Sequence, residues 1–198
     1  MIEHKFSYES FIGGWYIPEK ICDGLIELFN YEKEKNHTIQ GLQNNFGKVH
    51  VDKTAKDSEE LGIMHNDTND IIIKYRDELQ KVLDNYIKKY NTVNLQAGFN
   101  VNTGFNIQYY KPGGGYKVWH NERGSGCAEE CRRILVFMTY LNDVDDGGTE
   151  FLNQNLICPA KKGLTIIWPT DWTHIHRGQV SMTKEKYIVT GWFTFNEQ

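Results

Sequence analysis

The run Ile134-Leu135-Val136-Phe137-Met138-Thr139-Tyr140-Leu141, broken at once by Asn142-Asp143 and then by Asp145-Asp146-Gly147-Gly148, decides the fold. Eight residues rich in branched and aromatic side chains, closed by turn formers, read as a strand. Working outward, the same pattern recurs at residues 105–110, 164–168, 174–180 and 186–195. Pro112-Gly113-Gly114-Gly115, Pro159 with Gly163, and Pro169-Thr170-Asp171 supply the breaks between them. Many short strands separated by Gly-rich and Asp-rich turns predict a double-sheet antiparallel barrel of the jelly-roll kind.

Upstream the period changes. After Pro18, residues 19–30 return Ile21, Cys22, Leu25, Ile26 and Phe29 at helical spacing. A second helix is expected behind Asp70 as its cap, with Ile71, Tyr75, Leu79, Val82, Leu83, Tyr86, Ile87 and Tyr90 as its buried stripe. Both helices are expected to cover one face of a sheet. Residues 40–69 read as a long irregular connection around a short strand at 47–51. At 198 residues, one domain over 1–198 is the expectation, with a helical N-terminal part (1–90) and a jelly-roll core from about 91 to 198.

Lys and Arg number 22 against 26 Asp and Glu, for a net charge of −4 and a pI near 6.0. With no basic stripe, nucleic acid is not an expected partner. Neither a secretory pattern in Met1-Ile2-Glu3-His4-Lys5-Phe6 nor an apolar run long enough to span a membrane is present, so a cytoplasmic protein with no membrane partner is expected. Composition is silent on oligomeric state. Cys22, Cys127, Cys131 and Cys158 do not form a disulfide-scaffold pattern. Cys127 and Cys131 lie near His120 and Glu122 in sequence, which keeps a zinc cluster of these four among the readings.

His120-Asn121-Glu122 carries the chemistry. In a strand, positions i and i+2 share a face, so His120 and Glu122 converge on one ion while Asn121 points away. A second imidazole would come from Trp172-Thr173-His174-Ile175-His176-Arg177-Gly178, where His174 and His176 share a face. Two imidazoles and one carboxylate leave about half of an octahedral metal's positions open, as an iron oxygenase needs. In isolation, His-x-Glu is equally a polar pair on a wet barrel rim.

The surrounding residues resemble the 2-oxoglutarate and iron(II)-dependent dioxygenases, in their prolyl 4-hydroxylase-like branch. The resemblance runs from Gln108-Tyr109-Tyr110-Lys111-Pro112-Gly113 through Tyr116 to His120-Asn121-Glu122, then Arg133 and Tyr140-Leu141-Asn142-Asp143-Val144. It continues through Gly147-Gly148-Thr149-Glu150-Phe151, Pro159, Lys162-Gly163 and Trp168, and ends on His176-Arg177-Gly178 and Lys186-Tyr187 through Trp192. The family's lysine ten residues beyond the distal histidine selects His176, which stands ten before Lys186. The chain departs from the family in carrying Glu122 for Asp. It also places three residues, Lys117, Val118 and Trp119, between Tyr116 and His120 where two are common, which predicts a bulge or loop adjustment.

This resemblance implies a double-stranded β-helix, a jelly roll with a cupin-like core. It implies Fe(II) on His120, Glu122 and His176, and 2-oxoglutarate and O2 as co-substrates, with ascorbate as a further candidate. Lys186 and Tyr110 would bind the far carboxylate of 2-oxoglutarate. The implied reaction is hydroxylation of an unactivated C–H bond, with C4 of a prolyl residue in a peptide or protein as the leading target. Trp119, Trp172 and Tyr140 are candidate walls for a proline ring, and the loops after Pro112 and at 124–126 are candidate covers. Arg133 is open between a structural ion pair and a substrate contact. Hydroxylation of another side chain or a small molecule, a non-redox cupin-like metal-binding module, and a catalytically silent interaction module are the alternatives.

Overall fold

The computed structural model describes residues 1–45, 48–124 and 127–196, with backbone only at 43–45 and 48–49. In chain order the strands and helices are β1 (Glu3–His4), β2 (Gly13–Tyr16), α1 (Glu19–Glu34), β3 (Ile39–Gln40), β4 (Gln43–Asn45), β5 (Lys48–His50), β6 (Lys56–Asp57), β7 (Glu59–Ile63) and α2 (Asp70–Lys89). The C-terminal half adds β8 (Phe99–Asn100), β9 (Phe105–Tyr110), β10 (Gly115–Tyr116), the single helical turn α3 (Ala128–Cys131), β11 (Arg133–Tyr140), β12 (Val144–Phe151), β13 (Leu156–Ala160), β14 (Leu164–Pro169), β15 (His176–Gly178) and β16 (Lys186–Phe195).

The large sheet runs β1-β2-β14-β11-β16-β9-β7-β3, with β8 beside β16. A smaller sheet, β13-β12-β15, faces it, and an isolated bridge adds His120 to the edge of β15. All strand pairs are antiparallel, and the expected jelly roll is the observed core. The sheet also takes β1, β2, β3 and β7 from the segment before residue 90.

Both faces of the large sheet are buried, which is why its central strands are almost continuously apolar. Leu135 and Phe137 of β11, Ile167 of β14 and Val189 and Phe193 of β16 pack with Leu25 and Phe29 of α1 and with Tyr75, Leu79 and Tyr86 of α2. The alternate residues, Val136, Met138 and Tyr140 of β11, Ile166 and Trp168 of β14 and Ile188 of β16, pack inside the barrel with Phe151 and Cys158 of the small sheet. The period-2 alternation thus separates a helix-facing core from a barrel interior.

Several boundaries differ from expectation for local reasons. The cap of α2 is Asn69, whose side-chain oxygen accepts from Ile71 N at 3.0 Å, and Asp70 is the first helical residue. Helix α1 runs one turn past Asn30, to Glu34. The expected strand at 174–180 shortens to His176–Gly178, because Trp172–His174 forms a 3-10 turn. The short strand expected at 47–51 is observed as β5; Gly47 lies outside the described residues. Asp145-Asp146-Gly147-Gly148 is no turn: it lies inside β12, whose pairing with β13 shifts register between Val144 and Thr149. Glycine is needed there for close approach, since a Cβ on Gly148 would meet the Cys158 carbonyl oxygen at 2.4 Å.

Candidate active site

The bridge between His120 and His176 sets the geometry. His120 N donates to His176 O at 3.0 Å and His176 N to His120 O at 2.9 Å, and residues directly opposed in an antiparallel pair put their side chains on one face. The two rings lie with centroids 4.3 Å apart. Two residues beyond His120, Glu122 is anchored through its N–H to Thr170 O at 3.1 Å. Its Oε1 stands 3.4 Å from His120 Nε2 and 3.5 Å from His176 Nε2. The three candidate ligand atoms lie within 4.8 Å of one another, and this is the one such cluster among the described residues.

Backbone carbonyls choose the tautomers. His120 Nδ1 lies 3.0 Å from Val118 O and His176 Nδ1 lies 2.9 Å from His174 O. A carbonyl oxygen only accepts, so each Nδ1 carries a proton, and in the neutral ring that tautomer leaves Nε2, which faces the carboxylate, as the free lone pair. Two nitrogen lone pairs and one carboxylate oxygen converging on one point are the donor set for a divalent metal with open positions. Burial disfavours the Glu122 carboxylate, but the hydrogen bonds and positive charge that His120 and His176 offer when protonated outweigh it and hold its pKa well below the usual range, so the group is ionised, as a metal ligand must be. Burial, joined by the charge of His120, lowers the pKa of His176 against the opposing pull of Glu122 and the His174 carbonyl, which favours the neutral form a ligand needs.

Packing fixes the rings. Tyr116 stacks on His120 with centroids 3.7 Å apart. Phe151 and Trp168 flank His176 at 5.6 and 5.1 Å. The three residues after Tyr116 leave the ladder that β10 makes with β6, and His120 instead joins the edge of β15 through the bridge. His174 turns elsewhere: its Nε2 lies 2.9 Å from Ser10 O and its Nδ1 3.0 Å from Thr173 Oγ1.

The three residues open into a cavity of about 400 Å³ whose wall also includes Lys186, Tyr110, Tyr140, Thr149 and Ile188. Lys186 is 5 % exposed, and its Nζ donates to Gly147 O and Gln179 O, both at 2.9 Å. Among the described residues no carboxylate lies within ion-pair range of it. Burial accordingly pushes its pKa down to about 8, with Asp146 opposing the shift. A buried ammonium with a donor to spare and no counter-ion suits a ligand carboxylate. Tyr110 lies 5.2 Å from Lys186 Nζ by ring centroid, and its hydroxyl donates to Gln108 Oε1 at 2.6 Å.

Residues 105–194 match the model of the 2OG-Fe(II) oxygenase superfamily. These residues form an oxygenase domain of that superfamily. The fold also matches solved prolyl hydroxylases. A Pseudomonas putida prolyl-4-hydroxylase aligns at 15 % identity and TM-score 0.68, over 95 % of this chain and 94 % of that one. The viral collagen prolyl hydroxylase of Paramecium bursaria Chlorella virus-1, solved with 2OG, aligns at 19 % identity and TM-score 0.68, over 94 % and 97 %. A Trichoplax adhaerens prolyl hydroxylase, solved with a peptide fragment of the hypoxia inducible factor oxygen degradation domain, aligns at 14 % identity and TM-score 0.73, over 93 % and 84 %. No curated protein matches the chain by sequence.

Within the oxygenase domain the structure corrects two expectations. Cys127 and Cys131 are exposed free thiols apart from the histidine and glutamate cluster, so the zinc reading fails. Trp119 and Trp172 do not line the cavity; its aromatic wall is Tyr110, Tyr116, Tyr140, Trp168 and Trp192. Gly124 lines the cavity, while Ser125 and Gly126 of the expected covering loop lie outside the described residues. Arg133 donates to Glu122 O at 3.0 Å, with its guanidinium 3.7 Å above the Trp192 ring.

Other wall residues were not singled out from sequence. Trp192 Nε1 donates to Glu122 Oε2 at 3.1 Å. Lys56 and Glu60 form a buried ion pair of 2.6 Å in the cavity wall, with Ser58 Oγ donating to Glu60 Oε1 at 2.8 Å. They carry little local signal: residues 56–60 are polar throughout, and only Leu61-Gly62-Ile63 hints at a strand.

Proposed function

We propose that this chain is a 2-oxoglutarate- and iron(II)-dependent dioxygenase that hydroxylates an unactivated C–H bond, with C4 of a prolyl residue in a peptide or protein as its target. The products would be the hydroxylated substrate, succinate and CO2. One observation carries the reading: a triad of metal donors and a buried, counter-ion-free lysine share one cavity. His120, Glu122 and His176 would hold the iron, which supplies, with 2-oxoglutarate and O2, the oxidising power no side chain has. Ascorbate is proposed as an auxiliary reductant.

The chain's own groups do the rest. The Val118 and His174 carbonyls hold the proton of each neutral ring on Nδ1 and leave Nε2 to the metal, Lys186 presents its ammonium to the far carboxylate of 2-oxoglutarate, and Tyr110 adds a hydroxyl beside it. The apolar wall of Ile188, Met138 and Trp168 limits water around the reacting centre. In this reading residues 1–198 act as one unit, since β2 and β7 complete the sheet that carries the site. The prolyl target is supported by the likeness to prolyl hydroxylases, one of them solved with a peptide.

Anaerobic titration of metal-free protein with Fe(II) and 2-oxoglutarate, followed by oxygen and a succinate assay, tests the class. A visible charge-transfer band and succinate are expected. Neither would form if the site were a non-redox metal site. A panel of prolyl peptides tests the target: coupled turnover with one oxygen added to proline is expected. Succinate formation indifferent to every prolyl peptide would remove the prolyl assignment and leave the class intact.

A further inference from the structure

Glu122 is one methylene longer than an aspartate, and a longer carboxylate has the freedom to place both oxygens on a metal. That freedom matters at a site with three protein ligands. Three of six positions remain; a 2-oxo acid that chelates takes two, and the last must stay open for oxygen. A second oxygen from Glu122 would close it.

We infer that Trp192 is a positioning residue that keeps Glu122 a one-oxygen ligand. The two carboxylate oxygens have different surroundings: Oε1 faces both imidazole Nε2 atoms at 3.4 and 3.5 Å, whereas Oε2 accepts the Trp192 indole N–H at 3.1 Å with Arg133 Nη1 at 3.8 Å. An indole nitrogen donates and never accepts, so this contact is N–H to oxygen in one sense only. The indole is itself held. Its ring lies 3.7 Å beneath the Arg133 guanidinium, which is tied to the Glu122 carbonyl at 3.0 Å. Trp192 also pairs with Val136 in register in the middle of the large sheet. Carboxylate, indole and guanidinium form a closed ring of contacts that leaves Glu122 little freedom to turn Oε2 inward.

This inference rests on the iron reading above, and nitric oxide separates the two, because it binds iron only where a position is open. Wild-type protein loaded anaerobically with Fe(II) and 2-oxoglutarate is expected to take up nitric oxide with the electron paramagnetic resonance signal of an iron nitrosyl. Trp192→Phe, which keeps a ring under Arg133 but removes the N–H, is expected to bind nitric oxide roughly tenfold or more weakly, the size typical of lost outer contacts at metal sites. In a Glu122→Asp background the carboxylate is shorter by about 1.5 Å and out of the indole's reach, so Trp192→Phe should change nothing further. Replacing Trp192 by its sulfur isostere benzothienylalanine removes the N–H at constant shape and serves if the phenylalanine variant does not fold.

Trp192→Phe indistinguishable from wild type, or equally harmful in both backgrounds, would overturn the inference and leave the iron reading standing. Wild-type protein that takes up no iron would overturn the iron reading itself.

Discussion

His174 and His176 lie two residues apart with buried rings, yet their hydrogen bonds separate their roles. His176 turns Nε2 to Glu122, whereas His174 uses both ring nitrogens on Ser10 and Thr173. His176→Ala is expected to abolish metal uptake in a binding titration; His174→Ala is expected to retain it while losing about 1–3 kcal/mol in urea unfolding from the buried partners left unpaired. Lys186 gives a pH prediction whose sign follows from its depressed pKa. Below about pH 8 both folded and unfolded states hold its proton; between about 8 and 10.5 the unfolded state alone holds it, so the ligand-free protein gains stability as pH rises through that window. Lys186→Met should abolish that rise in urea unfolding at stepped pH. Calorimetric titration should show 2-oxoglutarate affinity falling above pH 8 in the wild type as the ammonium is lost. That His120, Glu122, His176 and Lys186 face one cavity was legible, because strand period and family spacing are local signals. The Trp192 contact was not, since it joins residues 70 apart through the pairing of distant strands.

At the scale of elements, legibility followed burial. The runs at 105–110 and 186–195 read from sequence coincide with β9 and β16, whose composition reflects a two-sided core. β12 was lost in its own Asp and Gly residues: Asp145 and Asp146 are exposed, and glycine is demanded at 147 and 148 by neighbouring atoms rather than by a turn. β7 was missed because a five-residue strand with two glutamates at its start carries little apolar signal, although Glu60 points into the barrel and pairs with Lys56. The same close packing makes β16 sensitive at its one glycine. A Cβ on Gly191 would lie 2.5 Å from Phe137 Cζ and 2.6 Å from Phe105 Cβ, so Gly191→Ala should cost about 1–3 kcal/mol by overpacking, read from the urea midpoint. Across the layer, Tyr75 of α2 meets Thr139 of β11 at 3.0 Å, and Thr139 meets Thr165 of β14 at 2.8 Å, a buried polar chain tying helix to sheet. Tyr75→Phe should lose about 1 kcal/mol and leave metal affinity unchanged, because this chain lies on the helix-facing side of the sheet.

At the scale of the molecule, the site joins two halves of the jelly roll: His120 and His176 sit at the edge of the small sheet, while Lys186 and Trp192 stand on the central strand of the large one. Among the described residues no helix is long and apolar enough to cross a membrane. A ligand that spans both sheets stabilises the folded state by an amount set by its concentration over its Kd, about 2.7 kcal/mol at a hundredfold excess. For a chain of this length that is a rise in Tm of roughly 5–10 °C. Manganese(II), redox-quiet in place of iron, should raise Tm on its own, and 2-oxoglutarate should raise it further once the metal is present. Lys186→Met should keep the first rise and lose the second, His176→Ala should lose both, and a chelator should reverse both in the wild type. A 2-oxoglutarate shift of full size without metal would mean that Lys186 and its neighbours bind the acid alone, and that the small sheet's donor triad takes no part in holding it.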